Sequence, residues 1–508
     1  MAESMSDKLR RRKLDALKRG VHRTGGGEAL PVSIHVVGIG KAGAGVLAET
    51  LRGLEPGAPR LCALAVDIGG QDVAGLRAVS ANLPAERAEV TIVALDVPKR
   101  EALLDTLRRY PEFLTLEYPH YRWKADFAPW LAPSVELPGT GDHIRRAVAK
   151  AIYGAAYYGA PRALHRALRD FAAGVDAARS QAVVAVVFGL GGGTGSGIAV
   201  DLARHLSNGI FGHRVLVVGI GIAPCGGDPP EHAGGHLFAA LNELDCLGDE
   251  GKNRGVVASC GELFRNPFTA GFIVVPQQQA WESTRDLAVT QSRGNHEIAS
   301  LLTARAGTNL WEMLRLLNWV AAPSTQHSAA RTPWGPRWIH LLGFADTPNG
   351  PIAVGPSLPR QLGLLPGYAP EFLEARVSDG VRASTLADEL AAALAPEVPP
   401  QIVGGGRSGS VQFVLPSLRK TDLDVFHAAR AAYDSEDQGR RLLDHSLLLD
   451  QGVVLSEPST RLDGMAGASL AGGKGWVAVP FADLRGGEEP LRGTDAAVPK
   501  TRELGHAL

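Results

Sequence analysis

Continuous apolar runs, separated by turns and helical patterns, organise the first three hundred residues of the chain. They predict strands over 33–37, 61–66, 90–95, 182–190, 215–222 and 272–275. Because these runs are apolar throughout rather than alternating with polar residues, they indicate parallel strands that are covered on both faces. Helical periodicity between the strands predicts helices over 46–53, 99–109, 142–158, 160–178, 198–206 and 235–247. The succession of strand, turn and helix is that of an α/β sheet.

The remainder of the chain has a more mixed pattern. A long helical stretch covers 295–319, and a strand over 338–344 opens a second region, with helices near 385–394 and 423–433 and a strand near 411–415. A Pro-rich and aromatic stretch over 110–138 is predicted to run over the surface, and 248–270 is predicted to be an insertion. The pattern therefore favours a sheet domain, followed by a long helix and a second, smaller region that mixes helices and strands.

The most specific motif lies between a buried strand and a helix start, and its residues are Gly191, Gly192, Gly193, Thr194, Gly195, Ser196 and Gly197. Successive glycines let backbone N–H groups converge on an anion without obstruction by Cβ atoms, and the helix N-terminus adds its dipole. Thr194 and Ser196 can add hydroxyl donors. A flexible linker is the ordinary alternative, but linkers do not interrupt a strand-to-helix crossing. The Gly-Lys-Ser/Thr ending of a Walker loop is missing, so a different phosphate loop is predicted.

A second glycine motif, GIGKAGAG over 38–45, follows the first strand, and Asp67 ends the next one. Alone, this pattern matches a dinucleotide-binding fingerprint, in which an acid receives a ribose hydroxyl. Two glycine loops on one sheet are more than a single pyrophosphate needs. Together they suggest a phosphate chain held from both sides by backbone N–H groups.

The two loops resemble those of the tubulin/FtsZ superfamily, and the chain is similar to a divergent prokaryotic member. GGGTGSG looks like the signature phosphate loop, and Gly40, Lys41, Ala42 and Gly43 lie in the place of the first nucleotide loop. The resemblance implies a basic extension over 1–30, a GTP-binding domain over 31–294, a central helix region over 295–319, a second α/β domain over 320–455 and a Gly/Ala-rich tail over 456–508. It also implies GTP or GDP and Mg²⁺ as cofactors.

The resemblance assigns further phosphate contacts. Asp67 lies where the family places an acid near the magnesium-bound phosphates, and it is the candidate metal ligand. Thr140, Gly141 and Asp142 look like the loop that senses the terminal phosphate.

The resemblance also assigns the ribose and base contacts. Asp228 and Glu231 lie in the segment that matches the ribose-contacting loop. Gln277 follows the strand that offers an amide to guanine, and Asn295 opens the central helix, whose amide or acid reads the base. An amide can pair with the guanine edge, donor to acceptor and acceptor to donor. A simple helix N-cap is the alternative for Asn295.

The candidate catalytic residues are Asn309 and Glu312, which resemble the family's catalytic loop. In that family the acid serves the nucleotide of the next subunit, so hydrolysis accompanies head-to-tail assembly of a homopolymer. If the central helix ends near Ala306, Glu312 can orient water for a neighbour. If the helix continues to Asn318, Glu312 is a solvated helical acid.

Composition limits the other classes of function. The chain has 508 residues, a net charge of −1 and a pI near 7.0, so no global field attracts nucleic acid or an anionic membrane. Its four cysteines have no C-x-x-C spacing, and the longest apolar runs are of strand length, which together predict a cytoplasmic protein. The basic extension is predicted to be a solvated tail, with a docking arm for an unknown partner or a contact with an anionic surface as the alternatives.

Other chemistry-bearing residues have ordinary interpretations. The histidines show no H-E-x-x-H or comparable ligand set, so a protein metal site is not predicted from them. Arg145, Arg146 and Lys150 lie on one helix and are predicted to form a solvated face, with contact to phosphate or a partner as the second interpretation.

The sequence thus predicts a tubulin/FtsZ-like GTP-binding protein, a GTPase that polymerises head to tail into cytoskeletal filaments. Two alternatives are a nucleotide-binding scaffold without turnover and a Rossmann-type NAD(P)-dependent enzyme. The second would leave GGGTGSG without a role.

Overall fold

The structure is a computed structural model of the full chain. It describes residues 32–117, 131, 135–139, 143–178, 181–212, 214–248, 264, 267–303, 310, 339–343, 352–354, 372–376, 401–403, 410–414, 420–446, 453–456 and 477–480.

A large sheet forms the centre of the molecule. Its strands are β1 (Val32–Ile39), β2 (Leu61–Ile68), β3 (Ala88–Leu95), β4 (Gln181–Gly189), β5 (Leu216–Ile222), β6 (Gly271–Val275), β7 (Ile339–Gly343) and β8 (Ile352–Val354). The spatial order is β3-β2-β1-β4-β5-β6-β7-β8, and only β8 runs antiparallel to its neighbour. The strand order reverses between β1 and β4, which pair from Val32 opposite Gln181 to Ile39 opposite Phe188. The predicted α/β fold with a parallel sheet is confirmed.

Helices cover this sheet. In chain order they are α1 (Gly40–Arg52), α2 (Ala74–Ser80), α3 (Arg100–Arg108), α4 (Tyr110–Glu117), α5 (Arg146–Tyr158), α6 (Ala163–Ala177), α7 (Gly193–Arg204), α8 (Gly235–Gly248), α9 (Gln278–Thr284) and α10 (Leu287–Thr303). A π-helical turn, His205–Ile210, extends α7, and a 3₁₀ turn, Pro230–Ala233, precedes α8. Strand β1 is buried along its whole length, as expected for a central parallel strand.

Several helix boundaries differ from the sequence prediction. Helices α1 and α7 begin at Gly40 and Gly193, inside the glycine motifs, because the phosphate-loop glycines themselves form the first helical turns. Helix α4 occupies part of the predicted surface excursion, and its Tyr110, Phe113 and Leu114 are buried. That part of the prediction is wrong because the aromatic side chains pack into the core rather than over it. The remaining aromatics of this stretch, up to Trp130, lie outside the described residues.

The C-terminal half contributes to the large sheet and to smaller elements. The sequence predicts that a strand over 338–344 opens the second domain, whereas β7 pairs in parallel with β6 in the large sheet. A three-stranded antiparallel sheet contains β9 (Phe372–Arg376), β10 (Gln401–Val403) and β11 (Ser410–Val414), and β12 (Val453–Ser456) pairs with β13 (Val477–Pro480). The predicted helix near 385–394 lies outside the described residues.

Two further helices pack back onto the first domain. Helix α11 (Lys420–Ser435) lies against α8 and contacts α9, and α12 (Gln438–Asp444) contacts α8 and α5. Phe426, Ala429 and Tyr433 of α11 are buried in the continuous hydrophobic core. Among the described helices, none is long and apolar enough to cross a membrane.

Candidate functional site

The candidate site lies where the strand order reverses, at the carboxyl ends of β1 and β4. Both strands end in glycine turns that lead directly into helices, α1 and α7. In open parallel sheets, ligands bind in the crevice outside the carboxyl ends of the strands at this reversal. No side chain caps the first turn of either helix, so its N–H groups have no partner within the helix or from a capping side chain.

The first loop depends on glycine at specific positions. A Cβ atom at Gly38 would lie 2.5 Å from the Gly43 carbonyl oxygen, and one at Gly43 would overlap the Val187 carbonyl of β4. Gly40 has a φ of +64°, which side-chain-bearing residues rarely adopt. The next residue, Lys41, is exposed. The glycines therefore bring α1 close against β4.

Glycines of the second loop have two different surroundings. A Cβ atom at Gly193 would overlap the Ile144 carbonyl oxygen, and one at Gly195 would lie 3.0 Å from the Gly189 carbonyl oxygen. By contrast, a Cβ atom at Gly192 would meet nothing within 4 Å. The sequence explains Gly193 and Gly195 by approach of a ligand, whereas the structure shows that protein backbone already fills the space beside both.

The two hydroxyl residues of the second loop, Ser196 and Thr194, differ in burial and in their contacts. Ser196 is buried, and its hydroxyl donates to the Gly192 carbonyl at 2.7 Å and accepts from Arg146 Nε at 3.1 Å. Its proton is therefore directed into the protein rather than toward a ligand. Thr194 is half-buried, and its Cγ2 lies 3.6 Å from the position of a Cβ atom built on Gly40. The first loop, at Gly40, and the second loop, at Thr194, are therefore in contact distance of one another.

Asp67 is a buried carboxylate at the carboxyl end of β2. The residue is 2% exposed, and its Oδ2 has no hydrogen-bond partner. Burial, followed by the charge of Asp72, raises its pKa to about 6, although backbone N–H groups of the following turn partly offset this. A buried carboxylate oxygen without a partner is suited to bind a hard cation such as Mg²⁺, directly or through water. The residue therefore fits the predicted metal.

The base-reading candidates, Gln277 and Asn295, lie close to one another at α10. Asn295 is in the middle of α10, which begins at Leu287, so the N-cap alternative is wrong. A Cβ atom at Gly45 of α1 would lie 2.7 Å from Asn295 Nδ2, and one at Gly294 would lie 3.0 Å from Gln277 Nε2. The Asn295 amide therefore lies between α10 and α1, and the Gln277 amide packs against the preceding residue of α10, Gly294.

The ribose candidates differ in their surroundings. Asp228 accepts from the Cys225 N–H at 2.9 Å and lies 3.5 Å from Gln291 Nε2. Burial opposes its charge, but hydrogen bonds from His232 and Cys225 lower its pKa. Asp228 therefore stabilises its own loop, whereas Glu231 is exposed on the 3₁₀ turn.

Five candidate residues cannot be placed. Thr140, Gly141, Asp142, Asn309 and Glu312 lie outside the described residues.

A cluster of three histidines beside the second loop was not anticipated from the sequence. The His143 ring lies 5.7 Å from that of His232 and 5.1 Å from that of His236. His236 Nε2 is hydrogen-bonded to the Gly191 carbonyl, and burial lowers its pKa to about 3. The spacing of His232 and His236 four residues apart is a weak sequence signal. No group of three metal-binding side chains occurs in the described part of the chain.

The basic face predicted on α5 is wrong. Arg146 and Lys150 are each 1% exposed, so they belong to the interior. Arg146 Nη2 lies 2.6 Å from Glu243 Oε2 of α8, and Lys150 pairs with Asp201 of α7. Periodicity did not reveal this because the acids that neutralise these charges come from helices distant in the sequence.

Comparisons with known proteins return matches to solved structures alone. No family model matches the sequence, and no curated protein matches it. The structural neighbours are tubulin/FtsZ-like proteins. CetZ from Methanosaeta thermophila is 13% identical, with 79% of this chain and 91% of that chain covered and a TM-score of 0.38.

Two TubZ structures give similar values. A GTPγS-form protofilament of TubZ from Bacillus thuringiensis serovar israelensis is 12% identical, with 81% and 94% covered and a TM-score of 0.38. The monomeric TubZ subunit from bacteriophage PhiKZ is 13% identical, with 79% and 96% covered and a TM-score of 0.33. Each TM-score is below 0.5, so the function of this chain must be inferred from its own residues.

Proposed function

We propose that this chain binds GTP between its two glycine loops and is a divergent tubulin/FtsZ-like protein that assembles head to tail. The observation that carries the proposal is the meeting of both loops at the strand reversal, with Gly40 beside Thr194. The N-termini of α1 and α7, neither of which is capped by a side chain, lie side by side there and can offer backbone N–H groups to phosphate. A chain of phosphates, with several negative charges, uses more such donors than one pyrophosphate does.

Phosphate binding would rest mainly on the backbone. Gly192 has open space at its Cβ position, and Thr194 offers a hydroxyl in the half-buried rim of the loop. Lys41 is exposed beside them and can add a positive charge. Mg²⁺, when bound, would neutralise phosphate charge, and Asp67 is the residue that would hold it.

Base selection would rest on the amides Gln277 and Asn295. Gln277 is 4% exposed and lies between the end of β6 at Val275 and the start of α9 at Gln278, so its position is fixed by both elements. An amide next to a buried base rejects a base whose donors and acceptors are reversed, because polar groups are then left unpaired. This is the basis for proposing GTP rather than ATP.

Turnover and assembly complete the proposal. Water would attack the terminal phosphorus to give GDP and phosphate, with Glu312 and Asn309 of one subunit acting on the nucleotide of the next. A contact between two different faces of one subunit does not close on itself and yields a filament. We further propose a cytoplasmic location, in keeping with the free, buried thiols of Cys62 and Cys225.

A competition experiment tests the binding proposal. Equilibrium binding of a fluorescent GTP analogue, with Mg²⁺ or with a chelator, should be saturable and Mg²⁺-dependent, and should be displaced by GTP far better than by ATP or NAD⁺. Equal displacement by ATP would contradict base selection by Gln277 and Asn295. A nucleotide-free protein that binds none of the three contradicts the proposal itself.

A dinucleotide is the second candidate ligand. Gly38, Gly40, Gly43 and Asp67 have the positions of a Rossmann fingerprint. The strand order from β3 to β6 is also that of a Rossmann fold. Under this alternative, Asp67 accepts from a ribose hydroxyl instead of holding a metal. NAD⁺ would then compete and Mg²⁺ would have no effect.

A further inference from the structure

A buried arginine connects the second glycine loop to the C-terminal helices. Arg146, at the start of α5, donates from Nε to Ser196 Oγ of α7 at 3.1 Å. Its Nη1 donates to the Asp444 carbonyl of α12 at 2.8 Å, and its Nη2 lies 2.8 Å from Ser446 Oγ. One guanidinium therefore bridges two parts of the chain that are separated by about 250 residues in sequence.

Glu243 of α8 closes the network. Its Oε2 lies 2.6 Å from Arg146 Nη2, and it accepts from the N–H of Ser446 at 2.8 Å and from its hydroxyl at 3.0 Å. Burial opposes the charge on Glu243, but Arg146 lowers its pKa to about 2. The ion pair is therefore present at neutral pH. Because its hydrogen bonds are shared with Ser446, the pair holds the C-terminal segment in one position.

The same path continues into the glycine loop. The Ser196 hydroxyl that accepts from Arg146 donates to the Gly192 carbonyl at 2.7 Å. Gly192 is the residue with open space beside it at the candidate phosphate site. A continuous series of hydrogen bonds thus runs from Ser446 through Arg146 and Ser196 to the loop.

We propose that the C-terminal segment 420–446 is an internal effector of the nucleotide site. Its docking, transmitted by Arg146, holds the loop 191–195 in the geometry that binds phosphate, and bound nucleotide in turn strengthens docking. This inference rests on the proposed GTP binding. Coupling between two sites is reciprocal in free energy, so each direction can be measured. Arg146 is a positioning residue because it touches Ser196, not the ligand.

The first test uses Ser446→Ala in the full chain without nucleotide. Removing one buried hydroxyl from the network should loosen docking and raise hydrogen exchange by about tenfold at the Ser196 and Gly197 amides, which are hydrogen-bonded within α7. Ser435→Ala is the matched control, since the Ser435 hydroxyl is exposed and donates to Ala432 within α11. Ser446→Thr keeps the hydroxyl and should restore slow exchange. Unchanged exchange at the Ser196 and Gly197 amides in Ser446→Ala overturns the proposal.

The second test measures the opposite direction. GTP with Mg²⁺ should slow exchange over 420–446 in the wild type, and Ser446→Ala should weaken GTP binding by a similar factor, with Ser435→Ala unaffected. Arg146→Lys keeps a charge opposite Glu243 but loses the planar fork, and should reproduce both effects. If the wild type binds no GTP, the proposed function is wrong, while the nucleotide-free exchange still decides whether the segment and the loop are coupled. GTP binding without any protection of 420–446 contradicts the coupling alone.

Discussion

The glycines of the second loop show that one residue type serves two purposes within three positions. Gly193 is required because α7 begins against the backbone of Ile144, whereas Gly192 borders open space. The sequence predicts glycine-dependent phosphate binding for both. Of the two, only Gly192 has open space at its Cβ position.

We therefore expect opposite results from two alanine substitutions. The methyl group of Gly193→Ala would push the start of α7 away from the Ile144 backbone. This should destabilise the protein by about 3 kcal/mol or more, which is above the usual cost of overpacking a core. Gly192→Ala should change stability by about 1 kcal/mol or less, since its φ of −88° suits any residue, yet should weaken GTP binding. Urea denaturation and nucleotide titration measure the two effects. Wild-type stability of Gly193→Ala would show that the close approach to Ile144 is not maintained.

Asp67 provides a second prediction at this scale. Burial opposes the charge of its carboxylate, so Asp67→Asn, which removes that charge, should stabilise the metal-free protein at neutral pH by about 1–3 kcal/mol. The same change should remove the Mg²⁺ dependence of GTP binding. Denaturation in a chelator and binding with and without Mg²⁺ provide the measurements. The exposed Asp170→Asn on α6 is the control, and a loss of stability in Asp67→Asn would mean that the carboxylate is satisfied within the protein.

At the scale of elements, the junction between α12 and α8 contains two facing carboxyl groups. A Cβ atom at Gly235 would lie 2.6 Å from Asp444 Oδ2 and 3.1 Å from Glu436 Oε2. Burial and then Glu436 raise the pKa of Asp444 to about 8, although Arg145 Nη1 lies 2.8 Å from Asp444 Oδ1. The folded protein thus binds this proton more tightly than the unfolded chain does.

This raised pKa predicts how stability depends on pH. The contribution of Asp444 is complete below its usual pKa of 3.8 and is lost as pH rises through about 8. Wild-type stability should therefore decline across this range, and Asp444→Asn, whose amide does not titrate, should reduce the decline. Denaturation midpoints measured at successive pH values test this, with the exposed Asp434→Asn as control. Equal pH dependence of Asp444→Asn and wild type would contradict it.

Elements were predicted well where periodicity is strong and poorly where tertiary packing sets the boundary. All six strands predicted from β1 to β6 are present because buried parallel strands are continuous apolar runs. Helix α10 begins eight residues before the predicted start at Asn295, and α9 was not predicted. These boundaries depend on packing against α1 and the loop after β5, which local sequence does not reveal.

At the scale of the whole molecule, the proposal requires GTP-dependent assembly. Wild-type protein should sediment with GTP and Mg²⁺ and form filaments visible by electron microscopy. Glu312→Ala should keep GTP affinity, lose turnover and stabilise the filaments, because the acid would act on the neighbouring subunit's nucleotide. Phosphate release and sedimentation measure this, with Glu297→Ala on α10 as control.

The outcomes separate the alternatives. Full turnover in Glu312→Ala would show that another group orients the water. Binding without turnover in the wild type would identify a nucleotide-binding scaffold, and protein that stays monomeric over a wide concentration range would contradict assembly.

The sequence by itself determined the class of fold and predicted the place of the candidate site. Continuous apolar runs require a sheet covered on both faces, and glycine turns at the ends of β1 and β4 place backbone donors at one edge. Tertiary structure alone decided which groups face that edge. Arg146 is buried because Glu243, Asp444 and Ser446 come to it from distant parts of the chain. A charge pattern on one helix cannot show this, since burial of a charge depends on its partners in space.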